Sequence, residues 1–548
     1  MKKIYRNIIA FAVLGLSFTA CSSRLDVTDP NKFTDEEIDK YKGESDENTK
    51  RVLGGMVNVM PNYVNLYDAK MNRGYSNDNA YESSFELRRF IQSGDVVEGR
   101  ESNKGSYTLF YQNHDNLPYW EDDQIEQNYG YYMGPVLKIA AAMKPLDWLR
   151  DPKTPLQKGY KACCLTIKAM GYMQLMERWT DLQDVTSDTK QGWPIYNKYA
   201  YNAPVPPLSV KETWNWLKDS LKYAVECFKA SDIGDGGYTI GNDGDKIHDI
   251  DCAVAQYFRA RVALDMKDWP TAIEAASDLL SHYPNFIEAK DYGMNEALLP
   301  SVAKRDKAKG WTGTDYNAEK NAFYNLEKNP EAIFGEARGA TSRYWSNFNT
   351  LKNTLSGCYQ IDQNLYHAMS DNDCRKACFL SKAFRNYSIY SYENGDSIWY
   401  TYDIPAYTNL KWAASSAIGY TNHANHSSVS DFIYYRSSAV LLMLAEAYAQ
   451  SGQDMQAKAT LNKLLAARTL PDKPIMTCDN TMAGMSTLDM VKLQWRIEMW
   501  GEGDWAFFNQ KRWGTAPARG ANHWSTKPIS HYTWEIPQQE RQGNPYWN

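Results

Sequence analysis

Basic excess, catalytic signatures, paired-cysteine spacing and a long apolar run are what this 548-residue sequence lacks. Its 60 Lys and Arg are outnumbered by 66 Asp and Glu, and three of the cations, Lys2, Lys3 and Arg6, stand in the first six residues. Neutralising a phosphate backbone takes a basic face, so nucleic acid is not an expected partner. No G-x-S-x-G elbow, Walker loop, dinucleotide fingerprint or H-E-x-x-H occurs, and the 8 His are dispersed, His423 and His426 being the one close pair. Asp243 and Asp245 lie in an acidic stretch without the sixth-position Gly and closing Glu of an EF-hand loop. Neighbouring acids such as Asp122 and Asp123 suit a glycosidase pair in type, yet among 66 acids such neighbours arise by composition alone. The sequence therefore predicts no enzyme, no metal and no cofactor.

Cysteine is sparse, at 9 residues, and no C-x-x-C pairs suggest zinc. Cys374 and Cys378 would share a helical face, where either a disulfide or two buried thiols would fit. Cys21 has a different setting. It follows a stretch with Lys2, Lys3 and Arg6 at its start, an apolar run from Ile8 to Phe18 and the small Ala20, the pattern of a signal peptide over residues 1–20. The apolar run is too short to span a bilayer. Phe18-Thr19-Ala20-Cys21 resembles the lipobox of bacterial lipoproteins, which implies acylation of Cys21 and membrane attachment through the N-terminal lipid. Polar residues 21–42 then read as a tether and residues 43–548 as a single helical domain.

Aromatic residues are what the chain has in excess: 39 Tyr exceed 33 Gly. Tyr and Trp join a flat apolar face to a polar edge and suit binding surfaces as well as cores. Helical periodicity dominates, which predicts an all-α fold with minor β-hairpins, such as one over Ser388 to Tyr402. Ala253 to Pro284 and Arg436 to Arg468 have the small-residue spacing of tetratricopeptide (TPR) helix pairs, with turns at Asp268-Trp269 and Gly452. Tyr160 to Met176 and Val210 to Phe228 are further amphipathic helices that would pair similarly. Long polar, aromatic, Gly- and Asn-rich insertions interrupt this frame at residues 71–126, 291–324, 338–355 and 387–426. Such insertions on a rigid scaffold are where binding resides.

Three ordered blocks carry a family likeness. Tyr435-Arg436-Ser437-Ser438-Ala439-Val440-Leu441-Leu442-Met443-Leu444-Ala445-Glu446-Ala447 is the strongest. Arg496-Ile497-Glu498, Trp500-Gly501-Glu502-Gly503 and Lys511-Arg512-Trp513-Gly514 form the second, and Ile536-Pro537 with Glu540 and Asn544-Pro545 the third. Together with Cys21, and more weakly Leu25-Asp26-Val27 and Asn329-Pro330-Glu331-Ala332-Ile333-Phe334, they resemble the SusD/RagB nutrient-binding lipoproteins of Bacteroidetes. Asp504 departs from the basic residue usual there, and Asn509 from the common Asp. On apolar helices Arg436, Glu446, Arg496 and Glu498 are expected to be paired charges or caps, since burying them alone would be costly.

The resemblance implies a TPR-like frame, an outer-membrane, cell-surface location, a glycan ligand and a SusC-like TonB-dependent transporter as partner. A sugar ring needs aromatic planes flanked by amides, carboxylates or Arg. The candidate ligand contacts are Asn77, Asp78 and Tyr81; Tyr119 and Trp120; Trp311; Arg343, Tyr344 and Trp345; and Trp412, paired with the cation of Lys411. Two other readings use the same chain: a peptide carrier of the RagB kind, and a TPR scaffold whose partner is only protein.

Overall fold

The computed structural model describes residues 45–64, 89–98, 124–197, 204–239, 246–293, 295, 322–323, 326, 329–336, 359–393, 396–411, 432–523, 526–529 and 531–547. The chain divides into two compact units, residues 1–58 and 59–548. In the first, helix α1 (Asp46–Val57) opens at Ser45, whose hydroxyl accepts the Asn48 N–H at 3.2 Å.

The second unit is helical, as its periodicity predicts. Helices α2 (Gln124–Trp148), α3 (Pro155–Trp179), α4 (Val210–Lys229), α5 (Cys252–Asp265) and α6 (Trp269–His282) each pack on the next. Two short helices, α7 (Gln363–Ala368) and α8 (Cys374–Ala377), come before α9 (Ser437–Gln450), which packs on α6 and carries α10 (Asp454–Ala467). After the short α11 (Cys478–Thr481), α12 (Thr487–Glu498) covers α9 and leads to α13 (Trp505–Trp513) and α14 (Gln538–Gly543). The two TPR-like units are thus direct neighbours, although about 150 residues separate them along the chain.

Local chemistry sets the helix ends. Thr154 caps α3 with Pro155 in its first turn, Ser209 and Glu212 form a capping box on α4, and Asp268 accepts the Thr271 N–H to open α6 at the expected turn. Gly452 makes the α9–α10 turn at φ +76°, a conformation only Gly takes at no cost. Gly171 lets α2 and α3 approach: a Cβ there would lie 2.6 Å from the Pro135 carbonyl oxygen. Ala272, Ala276, Ala445, Leu461 and Leu464 are all fully buried, each Leu contributing about 1.5–3 kcal/mol. Helix α2, which contains Pro135 and Pro145, replaces the last part of the stretch read as an irregular insertion over 71–126. Among the described residues no helix is long and apolar enough to cross a membrane.

Among the described residues, three antiparallel strand pairs complete the unit. The predicted hairpin is β4 (Phe384–Glu393) with β5 (Asp396–Ile404). The other two join distant segments: β1 (Val96–Glu98) with β3 (Tyr359–Ile361), and β2 (Ala332–Glu336) with β6 (Phe432–Arg436).

A buried ion network ties these elements together. Arg436, at the end of β6, donates to Glu331 at 2.7 Å, to Glu498 at 2.6 Å and to both Glu502 carboxylate oxygens at 2.6 Å. Arg468 donates to Glu331 at 2.6 Å and Glu498 at 2.7 Å. Arg375 links Glu498 at 3.0 Å to Asp373 at 2.6 Å, and Lys411 reaches Glu502 at 2.5 Å. Four cations thus face four carboxylates, which removes the cost of isolated buried charge. Burial alone would push the Glu498 carboxyl up, but Arg468, Arg436 and Arg375 hold it well below the usual carboxylate range. A second cluster centres on Glu446, which pairs with Arg512 and accepts the indole N–H of Trp495 at 2.9 Å and of Trp513 at 2.8 Å. Arg496 pairs with Asp95 at 2.7 Å. The expectation that Arg436, Glu446, Arg496 and Glu498 are paired matches this geometry.

Among the described residues, Lys511 has no carboxylate partner at hydrogen-bond distance. Its ammonium donates to the carbonyls of Glu177 at 2.7 Å and Arg178 at 3.1 Å, in the last turn of α3. Burial pushes its pKa down to about 7.

Two outcomes follow for stability. Glu498→Gln leaves three guanidinium groups short of compensation and should cost about 3–5 kcal/mol in urea unfolding at neutral pH. Because its folded pKa lies below the unfolded one, Glu498 contributes stability above the ordinary carboxylate value that is lost as pH falls through the lower folded value. The variant should therefore lose part of the acid sensitivity of the wild type. Lys511 has the opposite chemistry. Between about 7, its folded value, and about 10.4 the unfolded chain holds the extra proton, so stability should rise with pH by up to about 1.4 kcal/mol per unit. Lys511→Met should flatten that rise in the same measurement.

Candidate ligand-binding site

Asn77, Asp78, Tyr81, Tyr119, Trp120, Trp311, Arg343, Tyr344, Trp345 and Trp412 all lie outside the described residues, as do Cys21, Asp243, Asp245, His423 and His426. The frame that carries their segments is described, and it fixes where each segment leaves and returns.

Most of these roots are bonded to one another. Glu98, where residues 99–123 depart, pairs across the β1–β3 ladder with Tyr359, where residues 337–358 return. The Tyr359 carbonyl accepts the Asn409 N–H at 2.9 Å, two residues before Lys411 and the departure of 412–431. Gly293, at φ +70°, lies so close to that root that a Cβ would stand 3.1 Å from the Lys411 Cα. The Ala322 N–H donates to the Asp291 carbonyl at 3.0 Å, joining the two ends around residues 296–321. Arg89, after residues 65–88, is held by Asp504 at 2.5 and 2.7 Å, and Phe90 packs in one apolar cluster with Val96, Tyr359, Phe379 and Trp500. Two further roots, Glu336 and Phe432, pair with each other at the far end of β2 and β6.

Lys411 stands at the centre of this arrangement. Its expected role as a cation beside Trp412, free to meet ligand, is corrected by its burial: the side chain is 2% exposed. The ammonium donates to the carbonyl of Trp500 at 2.9 Å as well as to Glu502, and lies 4.7 Å from the Phe323 ring and 5.7 Å from that of Tyr292. Burial pulls its pKa down, while Glu502 opposes that shift. One cation thereby joins the root of 412–431 to both sides of residues 296–321. The hydroxyl of Tyr292 donates to the Glu498 carbonyl at 3.4 Å, which continues the connection into the ion network.

Asp504, a departure from the family pattern, pairs with Arg89 at 2.5 Å. Asn509 keeps a local role by accepting from Arg512 at 2.7 Å. Cys374 and Cys378 are free, buried thiols, and Cys378 donates to the Tyr292 carbonyl at 3.1 Å. Burial pushes the Cys378 thiol up to about 12. Among the described residues, no three His, Cys, Asp or Glu are placed to hold a metal ion.

Asp95, Asp373, Arg375, Lys411 and Arg468 were not singled out as network members from sequence. Apart from the neighbouring Asp373 and Arg375, which pair with each other, their partners are far away along the chain, and the available signal was a charge set in an apolar context, as at Arg468 after the Leu-rich α10. Glu331 and Glu502 did fall in the quoted blocks.

Residues 313–546 match the SusD family model. No protein of curated function matches the chain in sequence. In fold the chain is similar to a SusD-like carbohydrate binding protein from Bacteroides vulgatus, at 18% identity and TM-score 0.61, covering 90% of this chain and 96% of the other. It is also similar to a SusD superfamily protein from Bacteroides fragilis, at 16% identity and TM-score 0.59 over 90% and 98% of the two chains. A third, from Bacteroides thetaiotaomicron, is 16% identical with TM-score 0.55 over 90% and 97%. The matched segment holds all three sequence blocks and the acids and guanidinium groups of the ion network, and the fold around it is SusD-like.

Proposed function

We propose that this protein is a glycan-binding surface lipoprotein that captures an oligo- or polysaccharide and delivers it, unaltered, to a SusC-like TonB-dependent transporter in the outer membrane. Cys21 carries the lipid, residues 21–42 are the tether, and residues 43–548 are the binding body. The observation that carries the reading is the gathering of insertion roots: segments holding all ten candidate residues leave the frame at positions that are largely bonded to one another. Tyr, Trp, Arg and amide side chains on such segments supply the apolar faces and polar edges that a sugar requires. The Bacteroides vulgatus neighbour described as carbohydrate binding supports the same ligand class. Nothing in the described chemistry calls for turnover, and binding without bond cleavage is the proposed activity.

The soluble chain from Ser22 onward should be retarded in native gels containing its polysaccharide, give binding heat in calorimetry, and release no new reducing ends. Reproducible cleavage by the pure protein would reject the carrier reading, and peptide capture without any glycan binding would replace the ligand class. Single replacements of Trp120, Trp311 and Trp345 by Ala should each weaken binding by roughly two- to tenfold, the worth of one aromatic contact. Unchanged affinity in all three variants would remove these rings from the site.

A further inference from the structure

We infer that Tyr407 and His367 form an additional saccharide subsite on the described frame, at the edge of the insertion roots. The inference rests on the glycan-binding reading above and adds two residues to it.

Tyr407 has φ +67°, in the left-handed region that is strained for a bulky side chain and free for glycine. The turn that contains it is pinned on both sides: its N–H donates to the Leu380 carbonyl at 2.7 Å, and its carbonyl accepts the Ile361 N–H at 3.0 Å. Ile361 is two residues beyond the root at Tyr359. A tyrosine is therefore held in a conformation that the backbone would more readily give to glycine, beside the place where residues 337–358 return. Strain retained in this way accompanies functional positions.

The ring itself is half-exposed and braced. The buried Tyr366 ring lies 5.0 Å away at 57°, and the exposed His367 ring 5.8 Å away at 79°. Contact with Tyr366 accounts for part of the ring, but the phenol oxygen lies 3.3 Å from Nε2 of the exposed imidazole rather than in the core. Behind this pair the Lys376 ammonium stands 5.0 Å from the Tyr366 ring and pairs at 2.7 Å with Asp371, whose side chain is 92% exposed. A fixed aromatic plane with its own hydroxyl and an exposed imidazole beside it has the chemistry to take the C–H face and hydroxyl rim of a pyranose.

The test uses the soluble chain in native gels cast with pullulan, xylan, galactomannan or pectin, together with thermal unfolding. Tyr407→Gly removes the ring and relieves the backbone, so it should fold while binding about five- to tenfold more weakly to whichever polysaccharide retards the wild type. His367→Ala, at an exposed position, should weaken binding less, and Tyr407→Phe should keep the stacking plane and lose only the hydroxyl contribution. If the wild type is retarded and Tyr407→Gly and His367→Ala match it, the subsite is overturned while the glycan-binding reading stands. Should Tyr407→Gly fail to fold, His367→Ala and Tyr407→Phe decide, and wild-type mobility in both overturns the subsite. No retardation of the wild type by any of the four would overturn both the glycan-binding reading and this inference.

Discussion

Opposite charges buried away from water are the constraint on which the described structure depends. Glu331 comes from one segment and the neighbouring Glu498 and Glu502 from another, and the guanidinium groups of Arg436 and Arg468 can be satisfied only when those segments meet. Apolar packing would tolerate small slips between β2, β6 and α12, whereas bidentate contacts near 2.6 Å do not. The network fixes relative position, and the helices around it supply the hydrophobic free energy.

That division of labour explains how a helical frame can serve binding. The frame's own pairs, such as α3 on α4 and α6 on α9, close by small residues and leucines that leave little chemistry to spare. Its polar resources are spent on caps and buried pairs. The aromatic and amide side chains suited to a sugar are instead concentrated in the segments between, and Lys411 connects the roots of two of those segments to the ion network. Rigidity at the roots limits the ordering that ligand binding has to impose, which is a general source of affinity.

The helical character, the two TPR-like units and the β4–β5 hairpin were legible because each is a local pattern: small residues four apart, a capping Asp268, a Gly452 turn, alternating apolar residues. The charged blocks were legible through their family resemblance. Helix α2 was missed because Pro135 and Pro145 interrupt its pattern and its start merges with a polar segment. Long-range pairings such as Val96 with Ile361, or Arg496 with Asp95, leave no local trace. Lys411 illustrates the same limit at the site. Next to Trp412 it has the spacing of a ligand-facing cation, and only tertiary structure shows that its ammonium is committed to Glu502 and Trp500. The strain at Tyr407 is likewise invisible in a sequence that reads Pro405-Ala406-Tyr407-Thr408.

In the proposed function, cargo is gripped at and between the segments rooted around the ion network while helices α3 to α6 stay inert. Hydrogen–deuterium exchange of the soluble chain, with and without a saturating polysaccharide that retards it, tests this most directly. New protection is expected in residues 65–88, 99–123, 296–321, 337–358 and 412–431, and no change along α3 to α6. Protection confined to the outer helices, with those five segments unaffected, would contradict it.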